Sequence, residues 1–359
     1  MPKITLERIA HRAKVNRSTV SLALRNHPRI SLRTRERVRK LAAEMGYHTD
    51  PLVTALTEAK RMRGGSQHAV IAYVTNYPTR YGWKPPYHNR PDYFPGTSER
   101  LAELGYHLEH FWLGEPGMTA RSFWKILWTR GVRGIVIGRL PPGQSSLPLF
   151  WEHFPVVTVG MTLREPAIHR VTEDFYEGAS KALQEMRALG YRRIGFVFSE
   201  ENDSPLVGDR WLGAYLYHQL FLPRPANIPP LSYASGRDHF AEFRSWFLEH
   251  EPDAILATHG SVVVEWLNKM GYTVPEHVGV ASLTDEPGPT NIKMAGISCA
   301  PGRLGSVAAE MMVGLIHRRE KGIPANAHEV MLEGEWRKGE TVRAQGMTSD
   351  QARGFSIAR

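Results

Sequence analysis

Arg17, Ser18, Ser21, Leu22 and Arg25 share one outward face of a short amphipathic segment that begins at Arg17. Side chains of these types can read a DNA major groove. A guanidinium forks onto guanine, hydroxyls reach either base, and an aliphatic group meets the thymine methyl. Nearby, Thr19, Ser21, Ser31, Thr34, Arg35 and Tyr47 carry donors suited to phosphate oxygens, which fix register without reading sequence. Thr5 and Arg29 are assigned to the same surface. Taken alone, the run Arg33 to Lys40 also reads as a solvated helix face, as most charge runs do.

The charge balance favours the polyanion reading. Residues 1–65 hold 15 lysines and arginines against 5 acidic residues, so this stretch carries about +10. The remaining 294 residues hold 30 basic and 31 acidic side chains and are nearly neutral. A chain of 359 residues suits two or three domains, and 42% hydrophobic residues suffice for large cores. A single cysteine, Cys299, excludes an internal disulfide and any multi-cysteine metal site. It is read as a small buried hydrophobe. The sequence has no signal-type apolar region and no run of about 18 apolar residues, which predicts a soluble cytoplasmic protein without membrane contact.

Positioning the DNA-reading face requires three helices. Thr5 is expected to cap Leu6–Ala13, with Leu6, Ile9, Ala10 and Ala13 on one side; Asn16 is expected to cap Arg17–Leu24, anchored by Val20 and Leu24. Ser31 opens a third helix that turns Val38, Leu41 and Met45 inward and stops at Gly46. The first two are joined by only Lys14-Val15-Asn16, the mark of a helix-turn-helix. Asp50-Pro51 then announces a further short helix that exits through Gly64-Gly65. With little to pack on, it is marginal alone and suited to form against a partner and DNA.

Thr5-Leu6, Ile9-Ala10, Ala13, Val15, Ser18-Thr19-Val20-Ser21, Asn26, Ile30-Ser31, Thr34-Arg35, Arg37-Val38 and Met45-Gly46-Tyr47 together resemble the headpiece of the lactose repressor family of bacterial regulators. The resemblance implies a hinge helix after the headpiece, with Leu56 as the apolar wedge that opens the operator's central minor groove. The chain departs from the family pattern at Lys14, Leu22 and Thr49-Asp50-Pro51, so a familiar operator is not implied.

From residue 68 the pattern becomes apolar runs separated by amphipathic stretches such as Ala179–Leu189 and Val262–Met270. The runs are Ala69–Val74, His107–Leu113, Gly134–Ile137, Val156–Val159, Ile194–Phe198, Ala254–Ala257 and Gly279–Leu283. Leu104-Gly105-Tyr106, Leu189-Gly190-Tyr191 and Met270-Gly271-Tyr272 each close a helix and lead towards a strand. Such alternation predicts doubly wound parallel sheets, and the length predicts two lobes. The family resemblance extends thinly here, through Val171–Asp174 with Gly178-Ala179, Leu189–Ile194, Arg210 with Gly213, and Val274–Val280. It implies a periplasmic-binding-protein-like effector domain with its ligand in the cleft between the lobes.

The expected division is a headpiece at 1–48, hinge and linker at 49–65, an effector and dimerisation domain at 66–345, and a tail at 346–359. The N-lobe is expected over about 66–165 and 296–325, and the C-lobe over about 166–295 and 326–345. Carried over by position, Arg210 is implied as an effector contact; a structural arginine pairing Asp209 or Glu173 is the alternative. His259-Gly260 and Thr284-Asp285 replace polar pairs of the family, so its sugar specificity is not inherited. Asp285 either accepts ligand hydroxyls or is structural, and Asn76 is a further cleft candidate. The aromatic, proline-rich stretch 77–95 either stacks on a ligand ring or packs as a rigid loop.

No P-loop, dinucleotide fingerprint, zincin motif or nucleophile elbow occurs, so neither catalysis nor a cofactor nor a metal is expected. The chain reads as a homodimeric regulator, in the repressor sense, of a pseudopalindromic operator on double-stranded DNA, tuned by a small sugar-like effector. The rival is a two-lobed solute-binding protein or enzyme; the cationic front end and the missing export signal weigh against it. The tail lacks leucine heptads, so no coiled-coil tetramer is expected.

Overall fold

The computed structural model describes residues 5–24, 30–47, 69–84, 92–200, 205–222, 227–234, 238–284 and 292–345. Arg25, Arg29, Leu56 with its expected hinge helix, Asp285 and the tail lie outside the described residues. The chain divides into two compact units, Met1–Gln67 and His68–Arg359.

In the first unit, α1 (Leu6–Ala13), α2 (Arg17–Leu24) and α3 (Leu32–Glu44) follow the expected pattern. Ile9, Ala10, Ala13, Val20, Ala23, Val38 and Ala42 form its buried core, with Leu24, Leu41, Met45 and Tyr47 packed around them. Small side chains let the three short helices approach closely. Thr5 is extended at the N-cap of α1, but its side chain makes no capping bond, contrary to expectation. Ser31 does cap α3, accepting from the Thr34 amide at 3.4 Å. The three-residue turn works because Lys14 takes a left-handed conformation (φ 51°), which lets the Val15 amide bond back to Ala10 at 3.1 Å.

The described residues of the second unit form two six-stranded sheets. The first has the order β11-β5-β4-β3-β1-β2, from β1 (Ala69–Thr75), β2 (Tyr106–Trp112), β3 (Gly134–Ile137), β4 (Val156–Val159), β5 (His169–Glu173) and β11 (Glu329–Leu332). It is covered by α4 (Phe94–Glu103), α5 (Ala120–Thr129) and α10 (Pro301–Arg318). The second sheet has the order β12-β10-β9-β8-β6-β7. Its strands are β6 (Ile194–Ser199), β7 (Leu231–Tyr233), β8 (Ala254–Ala257), β9 (Gly279–Ser282), β10 (Ala295–Ser298) and β12 (Glu335–Arg337). Its helices are α6 (Phe175–Ala188), α7 (Pro205–Gln219), α8 (Phe240–His250) and α9 (Gly260–Lys269). Among the described residues, every strand pair is parallel except β10 with β12.

All seven apolar runs coincide with strands, Leu113 and Leu283 falling one residue past the ends of β2 and β9. Gly105, Gly190 and Gly271, with φ of +83°, +98° and +82°, terminate α4, α6 and α9 in the left-handed region that glycine alone enters freely. The lobe boundaries differ from the expected division. β5 and β11 pair in the first sheet, so the N-lobe extends past 165 and reclaims 329–332, whereas β10 pairs in the second sheet. The polar strand β5 was hidden because its Arg170 is buried and donates to the Leu163 carbonyl at 2.6 Å and the Gly160 carbonyl.

The chain crosses between lobes after β5, after β10, and between β11 and β12. Each departure is from the carboxyl end of a parallel strand. The helices that follow, α6 and α10, run away from the crossing, so the strands after them return towards it. Both sheets therefore present their strand carboxyl ends to the space between lobes.

α4 and α10 pack at backbone contact. A Cβ on Gly305 would lie 2.3 Å from the Tyr93 carbonyl oxygen, and one on Gly96 1.9 Å from that of Gly302. Gly305→Ala should therefore destabilise the body by about 3 kcal/mol, read as a lower denaturant midpoint. Gly213→Ala in α7, where nothing lies within 4 Å, should instead raise stability slightly. Equal effects at both positions would contradict the packing.

Candidate functional site

Two surfaces gather the predicted residues, one in each unit. On the headpiece, Arg17 and Ser18 are exposed and Thr19, Ser21 and Leu22 half-buried along α2, while Val20 and Ala23 point into the core. The helical repeat puts Arg17, Ser18, Ser21 and Leu22 on one continuous arc. Arg17 Nη1 lies 3.5 Å from Glu7 Oε1, with both side chains about 70% exposed (68% and 73%). An ion pair that open is weak and leaves the guanidinium available.

At the start of α3, the Ser31 and Thr34 hydroxyls lie 2.9 Å apart. Arg35 turns back to the Ile30 carbonyl at 2.9 Å and Arg37 to the Ala13 carbonyl at 3.3 Å, so both spend a donor on the fold. Tyr47 is half-buried against the headpiece core. Thr5 is exposed.

In the body, the strand ends carry the candidates. Asn76 follows β1 and donates from Nδ2 to Gln144 Oε1 at 2.8 Å. His259 stands at the N-cap of α9, after β8, with Nδ1 3.4 Å from Thr284 Oγ1. Thr284, beyond β9, donates to the Thr258 carbonyl at 2.6 Å. The structure therefore brings His259 and Thr284 together on the C-lobe wall.

Arg210 lies in α7 and reaches across to the other lobe, with Nη2 2.9 Å from Glu329 Oε1 on β11. This corrects the alternative partners named from sequence. The structure gives it a salt-bridge partner that neither alternative named, Glu329, 119 residues on. No local pattern announces such a pair.

Arg139 was missed. It stands just past β3, half-buried, and hydrogen-bonds the buried Tyr93 phenol. Burial pushes that phenol up to about 12, with Arg139 acting in the opposite sense. Its position after the apolar run Gly134–Ile137 was the available signal.

Within the stretch 77–95, Tyr77, Trp83 and Tyr93 are buried in their own lobe, whereas Tyr81 is exposed. Trp83 meets Tyr73, Phe94 and His110 at 5.2, 5.5 and 5.1 Å. His110 Nε2 lies 2.8 Å from Thr75 Oγ1. Burial, and secondarily Arg80 and Lys84, lower its pKa to about 4. A depressed native pKa means that the unfolded chain binds the proton first. The stabilising contribution is thus complete above about pH 6.5 and is lost as pH falls towards 4. Acidification across that window should lower the stability of the body, and His110→Gln should flatten the loss in a pH series of denaturant midpoints.

Among the described residues, no group of three or more His, Cys, Asp or Glu side chains is placed to hold a metal ion, and no helix is long and apolar enough to cross a membrane. Cys299 is half-buried against the C-lobe core.

Residues 5–50 match the family described as bacterial regulatory proteins, lacI family, and residues 183–342 match the periplasmic binding protein-like domain. An HTH-type transcriptional regulator of Mycolicibacterium smegmatis is 27% identical over 198 residues, 54% of this chain and 51% of that protein. That match thus spans about half of the relative's length. The HTH-type transcriptional repressor MelR of Bacillus subtilis is 22% identical over 78% of this chain and 81% of its own. The maltose regulon regulatory protein MalI of Escherichia coli is 25% identical over 70% and 69%.

Among solved structures, the Lac repressor dimer bound to operator and the anti-inducer ONPF superimposes with a TM-score of 0.54 at 17% identity, covering 96% of this chain and 100% of that one. The CelR–cellobiose complex gives 0.52 at 20%, covering 94% and 100%. The shared fold is a helix-turn-helix headpiece followed by two parallel-sheet lobes.

Proposed function

We propose that this chain, which joins a LacI-family DNA-binding domain to a periplasmic-binding-protein-like domain, is a transcriptional repressor whose grip on its operator is set by a small effector. The observation that carries the reading is the arc of Arg17, Ser18, Ser21 and Leu22, held outward on a rigid three-helix core in the segment that holds the chain's net charge. In the cell it works as a homodimer in the cytoplasm, each headpiece reading one half of a pseudopalindromic site. Arg17, Ser18, Ser21, Leu22 and Arg25 face bases. Thr5, Thr19, Arg29, Ser31, Thr34 and Tyr47 face phosphates, and Leu56 enters the central minor groove.

Asn76, Arg210, His259 and Asp285 line the effector cleft in this reading, and Arg139 joins them from the N-lobe. Their donors and acceptors suit the hydroxyl groups of a sugar or related metabolite. The pair of Arg210 with Glu329 supports a route for coupling. Both side chains are about one-third exposed (32% and 34%), so the tie holds the lobes with no more than about 1 kcal/mol. A ligand that takes over Arg210 releases that tie, within the 1–3 kcal/mol typical of linkage between two sites. The chemistry is binding rather than catalysis.

Selection from random duplex oligonucleotides tests the DNA assignment directly: enrichment of a two-fold-related motif is expected, and no enrichment at any salt concentration sinks it. Arg17→Ala should relax base preference at one position per half-site, whereas Thr34→Ala should weaken all duplexes alike, as measured by titration. In a thermal-shift screen against sugars, Arg210→Ala should abolish the shift caused by any hit. An undiminished shift removes Arg210 from the ligand site.

A further inference from the structure

Arg187, near the carboxyl end of α6, and His218, near that of α7, are turned towards each other. Nη1 of the arginine lies 3.3 Å from Nδ1 of the histidine, and both side chains are half-buried. A guanidinium has only donors to offer, so it settles best on a carboxylate or a carbonyl. Elsewhere in the body Arg170, Arg193 and Arg337 do so, donating to the backbone carbonyls of Gly160 and Leu163, of His250 and Glu251, and of Met294. Arg187 meets an imidazole instead. Among the described residues, neither its side chain nor that of His218 bonds a carboxylate or a carbonyl.

Helix capping does not account for the pair. The macrodipole favours a cation at each helix carboxyl end. Yet the final carbonyls of α6 already receive the Leu189, Gly190 and Tyr191 amides at 3.0, 2.9 and 3.2 Å, and those of α7 receive the Leu220 and Leu222 amides at 3.1 to 3.3 Å. Nor does a dipole give a reason to aim two basic side chains at each other. The apposition is unfavourable as it stands. Burial lowers the pKa of Arg187, and burial followed by the Arg187 charge lowers that of His218. A negative group lodged between them would offset both effects.

The place is separate from the effector cleft. α6 follows a lobe crossing and α7 follows the carboxyl end of β6, so both begin on the interlobar side and run outward for 14 and 15 residues. At about 1.5 Å per residue, Arg187 and His218 stand roughly 20 Å from those beginnings. The donors indicate what fits. Two groups on different helices, one of them a planar fork, suit an anion whose oxygens point in several directions, as those of a phosphate do. A carboxylate offers two oxygens in one plane.

We propose that Arg187 and His218 form an oxyanion site on the C-lobe, which takes a phosphate group, free or carried as a monoester, between the ends of α6 and α7. Calorimetric titration of the full chain with inorganic phosphate, against a chloride blank of equal ionic strength, tests this. Saturable binding is expected, weakened about tenfold by Arg187→Gln and by His218→Gln alike, because each removes a charge-assisted hydrogen bond. Arg187→Lys, which keeps the charge without the fork, should fall between. Affinity is read directly, so a variant that is only less stable still reports. Repeating the titration with methyl phosphate separates the two sources: tighter binding than phosphate assigns the site to a monoester, weaker binding to the free ion. Equal affinity in the unaltered chain and both glutamine variants overturns the proposal, the heat then coming from an adventitious ion only. So does heat no larger than the chloride blank, or acetate that binds as tightly as phosphate.

Discussion

Three chain crossings join the two sheets of the body, and each leaves a parallel strand at its carboxyl end. That constraint decides where everything else in the body can act. Helices after a crossing must run outward, and the strands that follow must return, so the carboxyl ends of both sheets converge on one interlobar space. Asn76 after β1, Arg139 after β3, His259 after β8 and Thr284 after β9 face that space because of their position in the winding order. Arg210, one helix on from β6, is near enough to bond Glu329 of the other lobe. Which side chains border the space between the lobes is thus a product of topology, set by whichever residues end the strands.

The headpiece follows a different logic. Its core is seven small or branched side chains on three short helices, too little to tolerate much strain. It nonetheless spends a left-handed lysine at Lys14 to make the tight turn that sets α2 at its angle. In return, the turn presents α2 with its polar arc outward and its apolar arc inward. Charge is partitioned to match: the segment that holds the headpiece carries the net positive balance, and the body is close to neutral. Affinity for a polyanion and its regulation can therefore be tuned in separate parts of the chain.

Much of this was legible in the residues. The headpiece helices and the Lys14-Val15-Asn16 turn follow from apolar spacing, and the body strands from apolar runs bounded by helix-stopping glycines. What stayed hidden shares one cause. β5 reads as polar because Arg170 is buried yet satisfied by carbonyls folded over it. β11 alternates exposed and half-buried positions at a sheet edge, and β10, Ala295-Gly296-Ile297-Ser298, holds a single large apolar side chain. Without these three strands the lobe boundaries could not be drawn correctly. Thr5 has the composition of a helix cap but makes no capping bond, because propensity describes what a residue can do rather than which geometry it meets.

By itself, the sequence determined what depends on neighbours along the chain: helix faces, strand periods, the glycines that stop helices, the charge of the front segment and the residue types on the exposed arc of α2. Tertiary structure alone decided what depends on neighbours in space. It matched Arg210 with Glu329 across 119 positions, Arg139 with Tyr93, and His259 with Thr284. It also turned Trp83 inward against Tyr73 and His110. Backbone and side-chain preferences act over one or two helical turns, whereas long-range pairs are set by how sheets wind and where the chain crosses, and a linear pattern does not record that.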